Sequence, residues 1–151
     1  MTGREDKKRN DLFFVCSLIE YVGRQTKNRR AVVVNALGQA KLQHIYDLAE
    51  VYHCENIDKL TYDLVNGAGI QTGDYDNVAD CRYRVPTHWD IGKVFQRLIV
   101  DVCNETGAEP VPALVEVYNS WITDSIENYN SSMYYENPGY LFASYKEGRP
   151  L

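Results

Sequence analysis

The stretch "PTHWDIGKVFQR" carries the residues whose types most directly suggest chemistry. His88 and Asp90 flank Trp89, just after Pro86 and Thr87. An imidazole and a carboxylate so close in the chain are candidates for general acid–base work. Thr87 is a good helix N-cap, and the exposed amides of such a terminus favour anions. Asp90, three residues past the cap, equally suits the first turn and the helix dipole. Trp89 lies off the apolar stripe that follows. It is therefore either packed against a loop or an exposed anchor.

Other reactive types are less well placed. His53 and Cys54 are adjacent, and helical neighbours do not face each other, so a nucleophile there needs a base from elsewhere in the fold. His44, His53 and His88, with Cys54 and Cys81, lack the spacing of a zinc motif. "GDYDNVAD" offers Asp74, Asp76 and Asp80. A calcium loop begun at Asp74 requires glycine at 79 and glutamate at 85, where the chain has Ala79 and Val85. There is no phosphate loop, dinucleotide fingerprint, nucleophile elbow or HExxH. These spacings point to no metal and no cofactor.

Tyrosine dominates the last third. Six of the twelve tyrosines are Tyr118, Tyr129, Tyr134, Tyr135, Tyr140 and Tyr145, interleaved with Asn119, Asn128, Asn130 and Asn137. Tyrosine presents a large contact area and a polar tip at low entropy cost, which suits interfaces. Tyr134 and Tyr135 are consecutive, so both cannot face one core. At least one faces a loop, another helix or a partner.

The elements that must position these residues are helical almost throughout. Asn10 or Asp11 can cap a first helix bearing Leu12, Val15, Cys16, Ile19 and Val22, which leaves residues 1–9 as a flexible charged N-terminus. Residues 31–37 fit a short helix ended by Gly38, or a strand built on the valine run. Leu42, Ile45, Tyr46, Ala49 and Tyr52 form the next stripe, and Asn56 can cap another. Residues 66–86 form a Gly- and Asp-rich irregular segment, long enough to be a functional loop. A helix from Thr87 follows, then a stripe from Val111 to Ile126, then a short helix ending "GYLFASYKEG". The expected architecture is all-α: a single compact helical domain of six or seven helices over residues 10–151.

At 151 residues, with 44% hydrophobic and 25% charged side chains, the chain can bury a core without help from a cofactor. No run approaches a membrane span, no secretory segment is present, and the four cysteines show no CxxC pair. The cytoplasm is the expected location and a disulfide framework is not expected. The net charge of −5 is uneven. Residues 1–41 hold nine Lys/Arg against four Asp/Glu, while residues 42–151 hold seven against seventeen. The basic turn with Arg24, Lys27, Arg29 and Arg30 could touch phosphates without sequence specificity. Asp47, Glu50, Asp58 and Asp63 argue against a DNA recognition helix in residues 42–65.

"DLFFVCSLIEYVGRQTKN", "IYDLAEVYHCENIDKL", "HWDIGKVFQRLI" and "YNSSMYYENPGYLFASYKEG" together resemble a family of small uncharacterised bacterial all-helical proteins. The likeness spans residues 10 to 148. Genes of that family often lie near putative ADP-ribosyltransferase-type toxins. The resemblance implies a bacterial antitoxin, immunity or accessory protein, and it supplies no catalytic residue. The expected function is that of a protein-interaction module acting through Trp89, Asn130, Tyr134, Tyr135 and Tyr140, with the acids Asp74 and Asp76. Two alternatives stand beside it. One is a small enzyme using His88 and Asp90 in a pocket between the 66–86 loop, the helix start at 87 and the tyrosine-rich tail. The other is weak nucleic-acid binding through the turn at 24–30.

Overall fold

A computed structural model describes the backbone of residues 3–151 and the side chains of residues 6–151. Its elements are α1 (Gly3–Thr26), α2 (Arg30–Asp47), α3 (Ala49–Tyr52), α4 (Ile57–Ala68), α5 (His88–Thr106), α6 (Pro110–Tyr118), α7 (Trp121–Glu127) and α8 (Pro138–Glu147). A single 3-10 turn, Met133–Tyr135, lies between α7 and α8. The described residues are thus all-α and form one compact arrangement around a single apolar core. Among them no helix is long and apolar enough to cross a membrane.

Two boundaries differ from the expected ones. The first helix begins at Gly3, not at Asn10 or Asp11, so residues 3–9 are its opening turns; residues 1 and 2 lie outside the described residues. Lys7 supports this extension by pairing with Asp11 one turn on, at 2.8 Å. Residues 31–37 are helical. Gly38 interrupts the helix as expected, at φ 81° and ψ 158°, and a second helical segment runs on from this kink to Asp47. Leu37 and Leu42 are buried on either side of this kink. Left-handed backbone of this kind is open to glycine at little steric cost. The stripe from Val111 to Ile126 divides at Asn119 and Ser120, where the Ser120 and Thr123 hydroxyls both donate to the Val117 carbonyl. That division, with the single turn of α3, raises the helix count above six or seven.

Local chemistry accounts for the sharper ends. Asn56 caps α4 by accepting from the Asp58 and Lys59 amides at 2.9 and 3.1 Å. Thr87 and Asp90 form a reciprocal capping box at the start of α5.

α1 is the central helix. Leu12, Val15, Cys16, Leu18, Ile19 and Val22 are all buried, a spread wider than one stripe, because α2, α4 and α5 pack around it. The closest approach is to α5. A Cβ placed on Gly92 would lie 2.2 Å from Ser17 Oγ and 2.8 Å from Ser17 Cα. The crossing distance of α1 and α5 therefore depends on the missing side chain. Gly92→Ala is expected to destabilise the protein by about 1–3 kcal/mol through overpacking, despite the better helix propensity of alanine. Urea unfolding checks this: an unchanged or raised midpoint would show that the two helices separate at no cost.

Candidate functional site

The basic turn at 24–30 is not a free cationic surface. Arg30 is 0% exposed. Its Nε donates to Glu20 Oε1 at 3.1 Å and lies 3.5 Å from Glu127 Oε1. Its Nη2 donates to Asn77 Oδ1 and its Nη1 to the Asn28 carbonyl. Asn77 in turn donates to the Glu127 carbonyl and to Glu127 Oε1. The Tyr118 hydroxyl donates to Glu20 Oε2 and the Tyr129 hydroxyl to Glu127 Oε1. Gly23 makes room, since a Cβ there would meet Arg30 Cδ at 2.4 Å. The other three cations are also engaged: Arg24 with the Pro86 carbonyl and Tyr129 Oη, Lys27 with Asp76, and Arg29 with Asp124. Arg30 is thus closed to a phosphate, while Lys27 and Arg29 are half exposed, each beside a carboxylate.

Two carboxyls and one guanidinium share this buried space. Burial pushes the Glu20 carboxyl well above its usual range, and the neighbouring Glu127 adds to the shift while Arg30 opposes it. Glu127 Oε2 is buried without a hydrogen-bond partner. Glu127 lies within hydrogen-bonding reach of Glu20, and that contact too favours the protonated form of Glu20. Burial on its own would lower the Arg30 value, but Glu127 and Glu20 hold it above the ordinary one.

His88 and Asp90 do not form a proton-transfer pair. Asp90 Oδ2 accepts from the Thr87 amide at 2.9 Å, which is a cap and not a base position. The His88 ring packs edge-on to Tyr21 at 5.0 Å and against Trp89 at 4.7 Å. Burial lowers its pKa and Arg24 lowers it further, so the imidazole is neutral at pH 7.

The tyrosine-rich segment divides into structural and exposed members. Asn130 accepts from the Arg82 amide and donates to the Asp80 carbonyl, fastening the 69–87 loop. Tyr140 donates to the Leu151 carbonyl and holds the C-terminus. Tyr134 packs edge-on to Tyr129 at 5.8 Å. Tyr135, edge-on to Tyr134 at 5.0 Å, is 68% exposed. Asp76 is drawn toward Lys27, and Asp74 is exposed in the same loop. Neither borders the tyrosines' hollow, which is about 220 Å3 in volume. That hollow is floored by Val94, Leu98, Pro138 and Leu141 and edged by Arg97 and Glu136. The structure thus brings Tyr134 and Tyr135 together against α5, and separates them from Asn130's staple and from the two acids.

The outer face of α5 supplies what the sequence reading missed. Trp89, Lys93 and Arg97 recur every four residues, so they line one side of the helix. Trp89 is 43% exposed and rests on Phe13 of α1 at 5.6 Å. The Lys93 ammonium sits 5.4 Å from the Phe13 ring centre. Beside it a crevice of about 260 Å3 is bordered by Arg9, Lys93, Gln96, Arg97, Val100 and Pro138, with Asp101 on its rim. The i, i+4, i+8 spacing of tryptophan, lysine and arginine was visible in the sequence. Its partner Arg9 was not, because it lies far off in the chain. A larger cleft of about 480 Å3 runs between α2 and α4, edged by Lys41, Glu55 and Asp63.

No protein-family model, curated protein or solved structure matches the chain.

The buried cluster sets two expected outcomes. Arg30→Met leaves Glu127 buried without its cation and costs about 3–5 kcal/mol at neutral pH. Glu20→Gln keeps the shape and neutrality of the protonated acid. Because the folded value of Glu20 lies above its ordinary 4.5, the stability it contributes is complete below about pH 4.5 and is lost as pH rises toward the folded value. The stability of Glu20→Gln relative to the parent therefore rises with pH above about 4.5. Urea midpoints of both proteins across that range decide it; a difference that stays flat would mean that Glu20 is ionised in the fold.

Proposed function

We propose that this protein is a protein-binding helical module that docks a partner through the face formed by Trp89, Tyr135 and the outer side of α5. The observation that carries this reading is the exposure of two large aromatics, Trp89 at 43% at the start of α5 and Tyr135 at 68% beside a small hollow against α5. Rigid aromatics beside a small pocket are the usual anchors of protein interfaces. The residues offered for catalysis support the same reading by what they already do. Asp90 caps a helix, and neither it nor His88 borders the hollow. In the setting implied by the family resemblance, the partner is a toxin encoded nearby and the role is that of an antitoxin, immunity or accessory protein.

Co-expression with the neighbouring genes, followed by affinity purification, tests this directly. Tyr135→Ala and Trp89→Ala are expected each to weaken retention of a co-purifying partner by about 2 kcal/mol or more. Their melting temperatures, measured alongside, separate lost binding from lost fold. Retention unchanged in the double variant, or lost instead on Lys41→Glu in the cleft between α2 and α4, would place the interface elsewhere.

A further inference from the structure

The face that carries the exposed aromatics also carries an unusual charge for an acidic protein. Arg9, Lys93 and Arg97 border one crevice, and all three are exposed. Among the described residues, none of them makes an ion pair. The cations act on each other: partial burial, then Arg97 and Arg9, hold the Lys93 ammonium below its ordinary value. Three cations against the single rim carboxylate of Asp101 favour an anion that can enter. Gln96 borders the same crevice, is only 3% exposed, and its Oε1 has no hydrogen-bond partner. A carbonyl oxygen accepts, so it suits a backbone amide of an entering chain and not its carboxylates.

The crevice and the hollow beside Tyr134 and Tyr135 share Arg97 and Pro138, so they form one continuous groove along α5. From Trp89 to Arg97 the helix rises about 12 Å, the reach of some four residues of extended chain. Lys93 with Arg9 comes first in the groove, then Arg97, then the hollow floored by Leu98 and Leu141, while Trp89 lies one turn before Lys93 on the same side of the helix.

We infer that the groove takes a short acidic segment of a protein partner, its carboxylates on Arg9, Lys93 and Arg97 and an apolar side chain in the hollow beside Tyr135. This rests on the protein-binding reading above and adds the chemistry of the partner. A nucleic acid fits less well. Residues 42–151 carry seventeen acids against seven bases, and a polyanion extending past three cations would meet that field. The hollow's floor of Val94, Leu98, Pro138 and Leu141 also suits an aliphatic or aromatic side chain better than the polar edge of a base.

The test uses the full chain, isotope-labelled, titrated with three probes while amide shifts are followed. The probes are a ten-residue peptide alternating glutamate with leucine and phenylalanine, its twin with lysine for glutamate, and a ten-nucleotide oligothymidylate. The acidic peptide is expected to give saturable shifts on α5 between residues 89 and 98 and at Tyr135, weakened roughly tenfold in the Lys93→Glu/Arg97→Glu double variant. Both positions are exposed, so the variant keeps its fold, which the dispersion of the same spectra verifies. Equal binding of the lysine peptide, tighter binding of the oligothymidylate, or shifts confined to α2 and α4 would each overturn the inference. The co-purified partner separates the two levels. If Lys93→Glu/Arg97→Glu retains a partner that Trp89→Ala/Tyr135→Ala loses, the acidic-segment inference fails and the docking face stands. If both variants retain it, the docking face fails as well.

Discussion

A guanidinium with no exposure at all organises this fold. Arg30 opens α2, yet its bonds reach Glu20 in the middle of α1, Asn77 in the 69–87 loop and Glu127 at the end of α7. Four segments that are remote in sequence are thereby held in one register. Such a cluster adds little net stability, because desolvating three ionisable groups offsets most of their attraction. What it provides is intolerance of misplacement: any shift that strands one member leaves a buried charge unpaired. The raised Glu20 value fits this view, since it reflects burial beside a second carboxyl, and Tyr118 and Asn77 donate to Glu20 Oε2 and Glu127 Oε1. Phe95 of α5, stacked on Tyr118 at 4.1 Å, passes the constraint to the fifth helix.

The same cluster explains why a long irregular segment is well placed without secondary structure of its own. Asn77 enters the core. Around it, the Gly73 and Tyr75 amides donate to the Thr26 and Lys27 carbonyls, and Asn28 reaches the Gln71 carbonyl. Gly73 is needed there, since a Cβ would fall 2.6 Å from the Lys27 carbonyl oxygen. The loop also delivers Pro86, whose carbonyl accepts from Arg24, and so fixes where α5 begins. The start of α5 then decides which side of that helix meets α1. With Gly92 pressed against Ser17, the face bearing Trp89, Lys93 and Arg97 turns outward beside Arg9 and Phe13.

Much of the architecture was legible from periodicity and caps. The stripe from Ile91 to Val102, the capping residues Thr87 and Asn56, and the glycine stops after α4 and α5 all follow from local rules and are present. The departures have a common cause: tertiary contacts that no local pattern encodes. Gly38 reads as a stop and does break the helix, yet Leu37 and Leu42 on either side of it both find core positions, so a second helical segment follows at once. Arg30 reads as part of a basic turn, yet it is buried against Glu20 and Glu127, because burial of a charge depends on a partner that lies elsewhere in the chain. Tyr134 and Tyr135 were correctly seen to diverge. Asn130 and Tyr140 have the composition of a binding surface but serve as fastenings.

The uneven charge of the sequence takes on a different meaning once its members are placed. Counting residues locates the excess of cations in the first forty-one positions and suggests the turn at 24–30 as the basic surface. That turn is where positive charge is most thoroughly consumed: one guanidinium is sealed in the core, and the other three cations are held by a carbonyl, a phenol or a carboxylate. Lys7 is likewise taken, by Asp11 and Glu50. The cations that converge outside come from two segments that sequence statistics assign to opposite halves: Arg9 from the basic part, and Lys93 and Arg97 from the acidic part. A helix pair packed as closely as α1 and α5 merges those halves into one surface. An acidic protein can thus present a compact basic and aromatic groove that its net charge conceals, and its surrounding acids disfavour long polyanions while leaving a short acidic segment room to dock.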